Sequence, residues 1–371
     1  NTAYMPGIVS SSLTWETIEN WNVGLDVVAF DGRLQGSFDW FTRYTYDMVG
    51  PAPTLPAALG TDVPKANNAD LRSRGWELDF SWRDHIKDFH YGIRISVSDA
   101  VQKVLSYPND TKTLPDAGLT SVNYYSGMTL GEIWGYETEG IANSQEEMDA
   151  WLEHNRPDWG NSWGAGDIMY RSIDGKDGVD DGNNTLDNHG DLKIIGNTTP
   201  RYEFGITLDA SWKGFDFRVF LQGVGKRDFW PAVGDPYSRG TYFWGAYGNE
   251  WATTCFKQHL DYWSEDNTNA YYPRPRIGWE LYSDNQKVQT RYLQDASYMR
   301  LKNVQVGYTI PTKWAEFLKM SSLRVYFSGE NLYTFTNLTK IFDPEVLSGT
   351  YGSGKAYPLM KNFSFGVNIN F

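Results

Sequence analysis

The last eleven residues, KNFSFGVNINF (residues 361–371), alternate strictly between apolar and polar side chains. Phe, Val or Ile occupies every odd position from Phe363 to Phe371, and Asn, Ser or Gly occupies every even one. Successive side chains of a β-strand point to opposite faces, so this segment predicts a strand with one apolar and one polar face. The pattern does not decide whether the apolar face covers a protein core or contacts lipid.

The same alternation recurs in eight segments upstream. These are residues 21–29, 38–48, 76–82, 89–97, 202–212, 215–221, 304–310 and 323–327. With the final segment they predict about nine strands in an all-β protein. In the seventh segment the alternation begins only at Val304, because Met299, Arg300, Leu301 and Lys302 do not follow it.

Three features favour a transmembrane antiparallel β-barrel over a soluble β-sandwich. The apolar faces are rich in aromatic residues, as in the girdles at the two bilayer interfaces. The strands are long, roughly nine to twelve residues, as a tilted span requires. Short connections alternate with long ones, the layout of periplasmic turns and extracellular loops. A soluble all-β domain with large insertions is the alternative.

The long connections are predicted as extracellular loops at about residues 50–70, 106–200, 229–295 and 336–360. The whole chain, residues 1–371, is then one barrel portion. An odd number of strands puts the two ends of the chain on opposite sides of the membrane. Open sheet edges in lipid leave unpaired backbone groups that cost several kcal/mol each. We therefore expect strands outside this chain to complete the barrel.

Composition excludes several classes of protein. The formal net charge of −13 argues against nucleic acid as a partner, because phosphates attract a basic surface. A single cysteine, Cys255, allows no internal disulfide, and the five His show no spacing typical of zinc. The sequence contains no apolar run of eighteen residues, so it predicts no membrane-spanning helix.

The loop sequence between residues 106 and 200 predicts a short helix and an acidic turn. Ser144 and Glu147 form a capping box at the start of SQEEMDAWLEHN, which predicts a helix that packs Met148, Trp151 and Leu152 against a small loop core. The turn is rich in Asp, Gly and Asn, which suits a structural Ca²⁺, although it fits the EF-hand template badly. A solvated acidic turn is the alternative, and no other cofactor is predicted. The candidate calcium ligands are Asp174, Asp177, Asp180 and Asp181.

Two sets of residues are candidates for contact with a substrate. Loop aromatics can stack on sugar rings, with packing between loops or contact with a partner protein as the alternative; the candidates are Tyr125, Trp163, Tyr242, Trp244, Trp251 and Trp279. Polar-face residues of the strands are predicted to face the barrel lumen and tune passage: Asp39, Arg43, Glu77, Asp79, Arg94, Asp209 and Arg218. Trp40 and Phe80 are predicted to face lipid, where an introduced Asp impairs assembly.

Several stretches resemble the SusC-like (SusC/RagA) TonB-linked outer-membrane transporters of Bacteroidetes. They are LTWETIENWNVGLD (13–26), GEIWGYETEG (131–140), the Asp-rich segment 174–196, FDFRVFLQGVG (215–225), YWSEDNTNAYYPR (262–274), ASYMRLKNVQVGYTIP (296–311) and GENLYTFTNLTKIFDPEV (329–346). These matches follow one another in a consistent order over nearly the whole chain.

The resemblance implies the carboxy-terminal portion of such a barrel, about nine of roughly 22 strands, in the outer membrane. It implies import of oligosaccharides, or in some members peptides, trapped under a SusD-like lipoprotein and released when the TonB-ExbB-ExbD complex pulls on a plug domain. It also implies that SusCD units pair as homodimers. The plug and the earlier strands are absent from this sequence.

Two other functions remain open from the residues alone. A secreted glycan-processing enzyme would use a carboxylate pair that no sequence spacing can identify. An adhesion or carbohydrate-binding protein would use the same loop aromatics. The sequence contains no nucleophile elbow, P-loop or HExxH motif, so we predict a protein that is not an enzyme.

Overall fold

The computed structural model describes residues 13–50, 65–115, 123–160, 162–231, 257–275, 283–317, 319–347 and 356–371. The strands are β1 Thr17–Ala29, β2 Leu34–Gly50, β3 Ala66–Ile86, β4 Phe89–Ser106, β5 Glu132–Gly135, β6 Thr138–Ile141, β7 Ile168–Tyr170, β8 Lys193–Asn197, β9 Arg201–Trp212, β10 Phe215–Lys226, β11 Asp228–Phe229, β12 Gln294–Asp295, β13 Tyr298–Thr309, β14 Ser322–Thr336 and β15 Asn362–Asn370. The α-helices are α1 Gln145–Asn155 and α2 Thr312–Phe317, and 3₁₀-helices span Lys257–Leu260, Ser283–Gln286 and Pro344–Val346.

Nine of these strands form one large antiparallel sheet in the order β1-β2-β3-β4-β9-β10-β13-β14-β15. Each strand pairs with its neighbours along the chain once the loop strands β5–β8, β11 and β12 are set aside. The nine strands predicted from alternation are therefore confirmed. Among the described residues, β1 and β15 are the two edges of the sheet.

Short connections join the strands at one end of the sheet: three tight turns, and a twelve-residue connection that contains α2 between β13 and β14. Lys213 and Gly214, between β9 and β10, have φ values of 45° and 89°. Two successive positive φ values are typical of a type I′ hairpin, whose twist matches that of the flanking strands. At the turn between β3 and β4, Lys87 also has a positive φ of 54°. This end of the sheet is called the turn side below, and the opposite end the loop side.

A β-bulge explains the broken alternation before Val304. Against β10, Leu301 pairs with Leu221 and Asn303 pairs with Phe220, so Lys302 is an extra residue in β13. An extra residue in one strand moves the following side chains to the other face. Met299 and Leu301 therefore lie on the same face as Val304 and Val306 despite their different parity.

Strands β2, β3 and β4 are longer than the alternating segments that predicted them. β3 has 21 residues and begins at Ala66, although alternation begins only at Trp76. Residues 66–75 pair with β2 and β4 but carry polar or charged side chains on both faces. The backbone ladder continues where neither face is consistently apolar, so a search for alternation misses these residues.

The two faces of the sheet differ sharply in polarity. One face carries Phe, Trp, Val, Leu and Ile that are largely exposed, including Val23 (67% exposed) and Phe365 (74%). The other carries the charged and small polar residues of each strand. Apolar side chains this exposed over a whole sheet face indicate contact with a nonaqueous environment. None of the described helices is long and apolar enough to cross a membrane.

The long connections on the loop side pack around a shared hydrophobic core. Its buried residues come from three connections, and they include Met148, Tyr170, Phe229, Tyr292 and Phe342. Phe229 and Phe342 meet edge to face with ring centroids 5.2 Å apart, although 113 residues separate them in sequence. The three connections therefore form one folded assembly, here called the loop cap.

Helix α1 confirms the capping box. The Ser144 side chain accepts a hydrogen bond from the Glu147 backbone N–H (3.2 Å), and the Glu147 carboxylate accepts one from the Asn143 N–H (2.6 Å). Met148 and Trp151 are buried in the loop cap, with Leu152 packed against it. The helix therefore packs on the core of its own loops, as its pattern predicts.

Placing the same charge on adjacent residues of β3 tests the assignment of the faces. Phe80 belongs to the apolar face and Ser81 to the polar face. We expect Phe80→Arg to reduce the assembled fraction of the full-length protein, because a lipid-facing Arg at the bilayer midplane costs about 2–4 kcal/mol. Ser81→Arg is the matched control and should assemble like the wild type. Heat-modifiable migration on gels measures assembly, and equal assembly of both variants would contradict the assignment.

Candidate substrate path on the polar face

All seven residues predicted to face a lumen lie on one face of the sheet. Asp39 pairs with Glu77 across β2 and β3, and Asp209 pairs with Arg218 across β9 and β10. Along a strand, residues separated by an even number of positions lie on the same face. Arg43 is four residues from Asp39, and Asp79 is two residues from Glu77. Arg94 is two residues from Gly92, which pairs with Asp209, so it lies on this face as well. This is called the polar face below; that it borders a lumen stays a prediction.

Ion pairs link neighbouring strands on this face. Arg94 of β4 donates to Asp79 of β3 at 2.9 Å. Arg324 of β14 forms two hydrogen bonds to Asp216 of β10, at 2.9 and 2.6 Å. A bidentate guanidinium–carboxylate pair fixes both side chains in a plane. The polar face is therefore organised by contacts between strands and is not a set of independent charges.

The pair between Arg324 and Asp216 depends on a glycine, because it spans the intervening strand β13. A Cβ on Gly307 would lie 2.5 Å from Asp216 Oδ1 and 2.6 Å from Arg324 Nη2. Any side chain at Gly307 would collide with both partners. Sequence reasoning singled out neither Gly307 nor Arg324, because the contact joins residues 108 apart.

Two open cavities lie along the polar face. The cavity at the turn side has a volume of about 820 Å³, and both acidic and basic side chains line it, including Arg83, Asp84, His85 and His90. The cavity nearer the loop side has a volume of about 650 Å³. Its lining contains Asp39, Glu77, Asp79 and Glu203, and among the described residues it contains no Lys or Arg. The cavity nearer the loop side is therefore the more acidic of the two.

The candidate loop aromatics fall into two groups. Tyr125 is buried and its hydroxyl donates to the Glu132 carboxylate. Trp163 is buried against Trp151 and Tyr170, with ring centroids 6.2 Å from each. For these two residues the placement supports packing, the alternative considered from the sequence. Tyr242, Trp244, Trp251 and Trp279 lie outside the described residues.

The candidate calcium ligands make separate contacts. Asp174 pairs with Lys176, which holds the pKa of the Asp174 carboxyl below its usual value. Asp177 lies 3.5 Å from His154, and Asp180 accepts a hydrogen bond from the Gly182 N–H at 2.7 Å. Among the described residues, no three His, Cys, Asp or Glu side chains are grouped as a metal site requires. Calcium binding therefore stays a prediction without a ligand group to support it.

Asp191 organises this acidic turn from its interior. Its carboxylate is fully buried and accepts hydrogen bonds from the backbone N–H groups of Ile173 (2.5 Å), Asp174 (3.1 Å) and Asp180 (2.9 Å). A carboxylate that accepts several N–H groups can hold a turn closed without a metal. Sequence reasoning missed Asp191, because nothing in composition separates one buried Asp from its exposed neighbours.

Acidic residues also gather around Tyr136 in the loop cap. Burial raises the pKa of the Tyr136 hydroxyl, and the charges of Asp181 and Asp158 raise it further. Burial likewise raises the pKa of the Asp158 carboxyl, with added repulsion from Asp181 and Asp180. The tyrosine ring contacts Trp159 at a centroid distance of 4.9 Å. The acidic turn is thus packed against the aromatic core instead of standing free in solvent.

Arg300 fastens the last long connection to the sheet. It is only 3% exposed, and its guanidinium contacts the carboxylates of Asp343 (2.6 Å) and Glu345 (3.2 Å) and the Thr334 hydroxyl (2.7 Å). Burial raises the pKa of Asp343, but the N–H groups of Glu345 and Leu359 and the Arg300 charge lower it more, so the net pKa is below its usual value. This network ties the FDPEV segment to β13.

Removing Arg300 should loosen the loop cap. Arg300→Ala leaves the largely buried Asp343 carboxylate without its guanidinium partner, whereas Glu345 keeps its pair with Lys302 at 3.0 Å. Breaking a buried ion pair by removing one partner costs about 3–5 kcal/mol. We expect faster proteolysis within residues 337–347 and a lower unfolding temperature of the full-length protein. Arg33→Ala is the control, because its pair with Asp84 is partly exposed and worth about 0–1 kcal/mol. Equal protease resistance of the two variants would contradict the anchoring role.

Changing Asp191 to Asn should open the acidic turn. The amide keeps the size of the side chain but places N–H donors against backbone donors, and an unsatisfied buried group costs about 1–3 kcal/mol. We expect hydrogen exchange of the Ile173, Asp174 and Asp180 amides to rise roughly ten- to hundredfold. Asp187→Asn is the control, since Asp187 forms an exposed pair with Lys112. Unchanged exchange in Asp191→Asn would show that the turn does not depend on this carboxylate.

Comparison with known proteins shows that the chain is similar to TonB-dependent receptors. It is 28% identical over 394 aligned residues to the TonB-dependent receptor P3 of Formosa agariphila, covering 100% of this chain and 36% of the relative. It is 22% identical to the TonB-dependent receptor SusC of Bacteroides thetaiotaomicron, covering 99% and 33%. The chain thus spans about a third of the length of the curated relatives it matches. No family model matches it.

The fold agrees with the same group of proteins. The structure of the RagAB peptide transporter superposes with a TM-score of 0.69 at 21% identity, covering 97% of this chain and 36% of that chain. The RagAB peptide importer in its closed-closed state gives a TM-score of 0.68 at 21% identity, with the same coverage. Over nearly its whole length the chain therefore matches the barrel portion of SusC-like TonB-dependent transporters, which confirms the resemblance in its motifs.

Proposed function

We propose that this chain is the carboxy-terminal barrel portion of an outer-membrane importer that depends on TonB. The observation that carries the proposal is the sheet itself: nine antiparallel strands with an exposed apolar face and an opposite charged face. Relatives named as TonB-dependent receptors and the barrel fold both indicate the outer membrane. Those names denote receptors and transporters, in keeping with a protein that is not an enzyme.

Further strands and a plug domain complete this importer. The open edges at β1 and β15 support strands outside the chain, because unpaired backbone groups in lipid cost several kcal/mol each. The coverage of about a third of each relative agrees with a barrel portion of a longer protein. The plug lies inside the barrel, and the TonB-ExbB-ExbD complex acts on it from the periplasm.

A SusD-like surface lipoprotein forms the lid over the loop cap. The shared hydrophobic core of the three long connections supports this role, because a partner that opens and closes needs a stable surface to meet. Arg300 strengthens that surface by tying the last connection to β13. Two such units pair as a homodimer through their barrels.

The cargo is an oligosaccharide. Sugar hydroxyls can donate hydrogen bonds to the carboxylates of the polar face and can bond to its serine hydroxyls and amide groups. The likeness to the RagAB peptide transporter leaves peptides as the alternative cargo within the same transporter class. A secreted glycan-binding or glycan-processing β protein is the further alternative, which the exposed apolar face disfavours.

Uptake by living cells tests the proposal. We expect cells that carry the full-length gene to import labelled neutral oligosaccharides, and deletion of that gene or of TonB to abolish the uptake. A parallel assay with labelled peptides identifies the alternative cargo. Peptide import alone would replace the oligosaccharide as cargo. Recovery of the full-length protein from the aqueous phase without detergent would reject the membrane assignment as well.

A further inference from the structure

Phe220 places an aromatic ring on the polar face. It pairs with Thr207 of β9, which pairs in turn with Arg94 of β4, so the three side chains share one face. It also lies between Arg218 and Gln222 along β10 and is partly exposed. Sequence reasoning passed over Phe220 because an aromatic residue at a polar position interrupts the alternation.

A glycine leaves room beside this ring. A Cβ on Gly205 of β9 would lie 3.3 Å from Phe220 Cε2 and 3.2 Å from Ser96 Oγ. The ring therefore leans over the backbone of Gly205 toward Ser96 of β4. A larger side chain at position 205 would crowd the Phe220 ring and Ser96. The glycine therefore allows the ring to pack close to the backbone of the sheet.

Hydrogen-bonding groups surround the ring within one cavity. Asp79, Ser96, Gly205 and Gln222 form one row across four strands, and the same cavity of about 650 Å³ contains Phe220. Arg94 holds the Asp79 carboxylate from the neighbouring row at 2.9 Å. The volume falls within the roughly 300–1,000 Å³ typical of small-ligand sites. A pyranose can stack one of its faces on an aromatic ring while its hydroxyls form hydrogen bonds with a neighbouring carboxylate, hydroxyl and amide.

The distribution of charge narrows the class of ligand. Asp39 and Glu77 line the cavity and form no ion pair within the described part of the chain. Their charges repel polyanions such as uronate or sulfated glycans. The acids are also spread across strands, and among the described residues no three of them are grouped to hold a metal ion. Dispersed acceptors suit the separated hydroxyls of a sugar better than the single charge of a cation.

We propose that Phe220, with Ser96, Gln222 and the Arg94-oriented Asp79, forms a binding subsite for a neutral oligosaccharide on the barrel wall. The C–H groups of one sugar face stack on the ring, whose π-face is negative. The side chains of Asp79, Ser96 and Gln222 form hydrogen bonds with the sugar hydroxyls. This subsite rests on the proposed function and identifies neutral glycan as the ligand class. It is separate from the loop aromatics considered from the sequence.

Titration calorimetry on the purified full-length transporter tests the subsite. The probes are maltohexaose, cellohexaose, xylohexaose and mannohexaose as neutral glycans, hexagalacturonate as a polyanion and hexalysine as a cation. We expect at least one neutral glycan to bind and Phe220→Leu to weaken it roughly tenfold, because leucine keeps apolar bulk but has no aromatic face. Phe220→Tyr should retain the affinity of the wild type.

Phe217→Leu is the matched control. Phe217 is on the same strand, three residues away, and is 42% exposed on the apolar face. The Phe217→Leu variant should bind glycan with the affinity of the wild type. Comparing the assembly of Phe217→Leu with that of Phe220→Leu separates a folding defect from a binding defect. If Phe220→Leu fails to assemble, Phe220→Met takes its place, because methionine also fills apolar volume without an aromatic face; glycan affinity equal to that of the wild type would again overturn the subsite.

Several outcomes would overturn the subsite. Equal glycan affinity of Phe220→Leu and the wild type would do so, as would binding of none of the neutral glycans. Tighter binding of hexagalacturonate or of hexalysine than of any neutral glycan would assign the cavity to a different ligand. If cells import oligosaccharides while Phe220→Leu binds normally, only the subsite fails; if cells import only peptides, the proposed cargo fails with it.

Discussion

Continuous hydrogen bonding between neighbouring strands is the constraint on which the rest of this structure depends. Nine strands share one ladder, so each strand fixes the faces of the next. Because side chains alternate along a strand, one register decides which residues meet a nonaqueous environment and which form the polar face. The bulge at Lys302 shows how the ladder tolerates an irregular sequence, because one extra residue in β13 keeps Leu301 and Val304 on the same apolar face.

The charged contacts of the protein follow from that ladder. Arg324 reaches Asp216 because β10, β13 and β14 are neighbours and Gly307 between them has no side chain. Phe220 leans over Gly205 for a related reason, since the neighbouring strand has a glycine at that position. On the polar face, glycine thus permits interactions that cross a strand. In alternating sequence these glycines look like ordinary polar-face residues.

The loop cap obeys different rules from the sheet. No periodic pattern describes most of its residues, yet it has a buried core drawn from three separate connections. Buried charges hold it in place: Asp191 closes the acidic turn by accepting backbone N–H groups, and Arg300 ties the last connection to the sheet. Both residues act through contacts with residues distant in sequence. The composition therefore indicated an acidic turn and a charged strand, but it did not indicate that Asp191 and Arg300 are the residues that hold them.

The sequence by itself determined the nine strands, the apolar and polar face of each strand, and helix α1. It also determined the likeness to SusC-like transporters. Period-two alternation, capping residues and motifs are local properties, so they can be identified without the fold. The sequence predicted that the seven charged residues share a face for the same reason. Only the tertiary structure showed that Tyr125 and Trp163 pack inside the loops, that the candidate calcium ligands make separate contacts, and that Phe220 lies in a polar cavity. Those facts depend on which strands and loops are in contact, and these contacts join residues that are far apart in the chain.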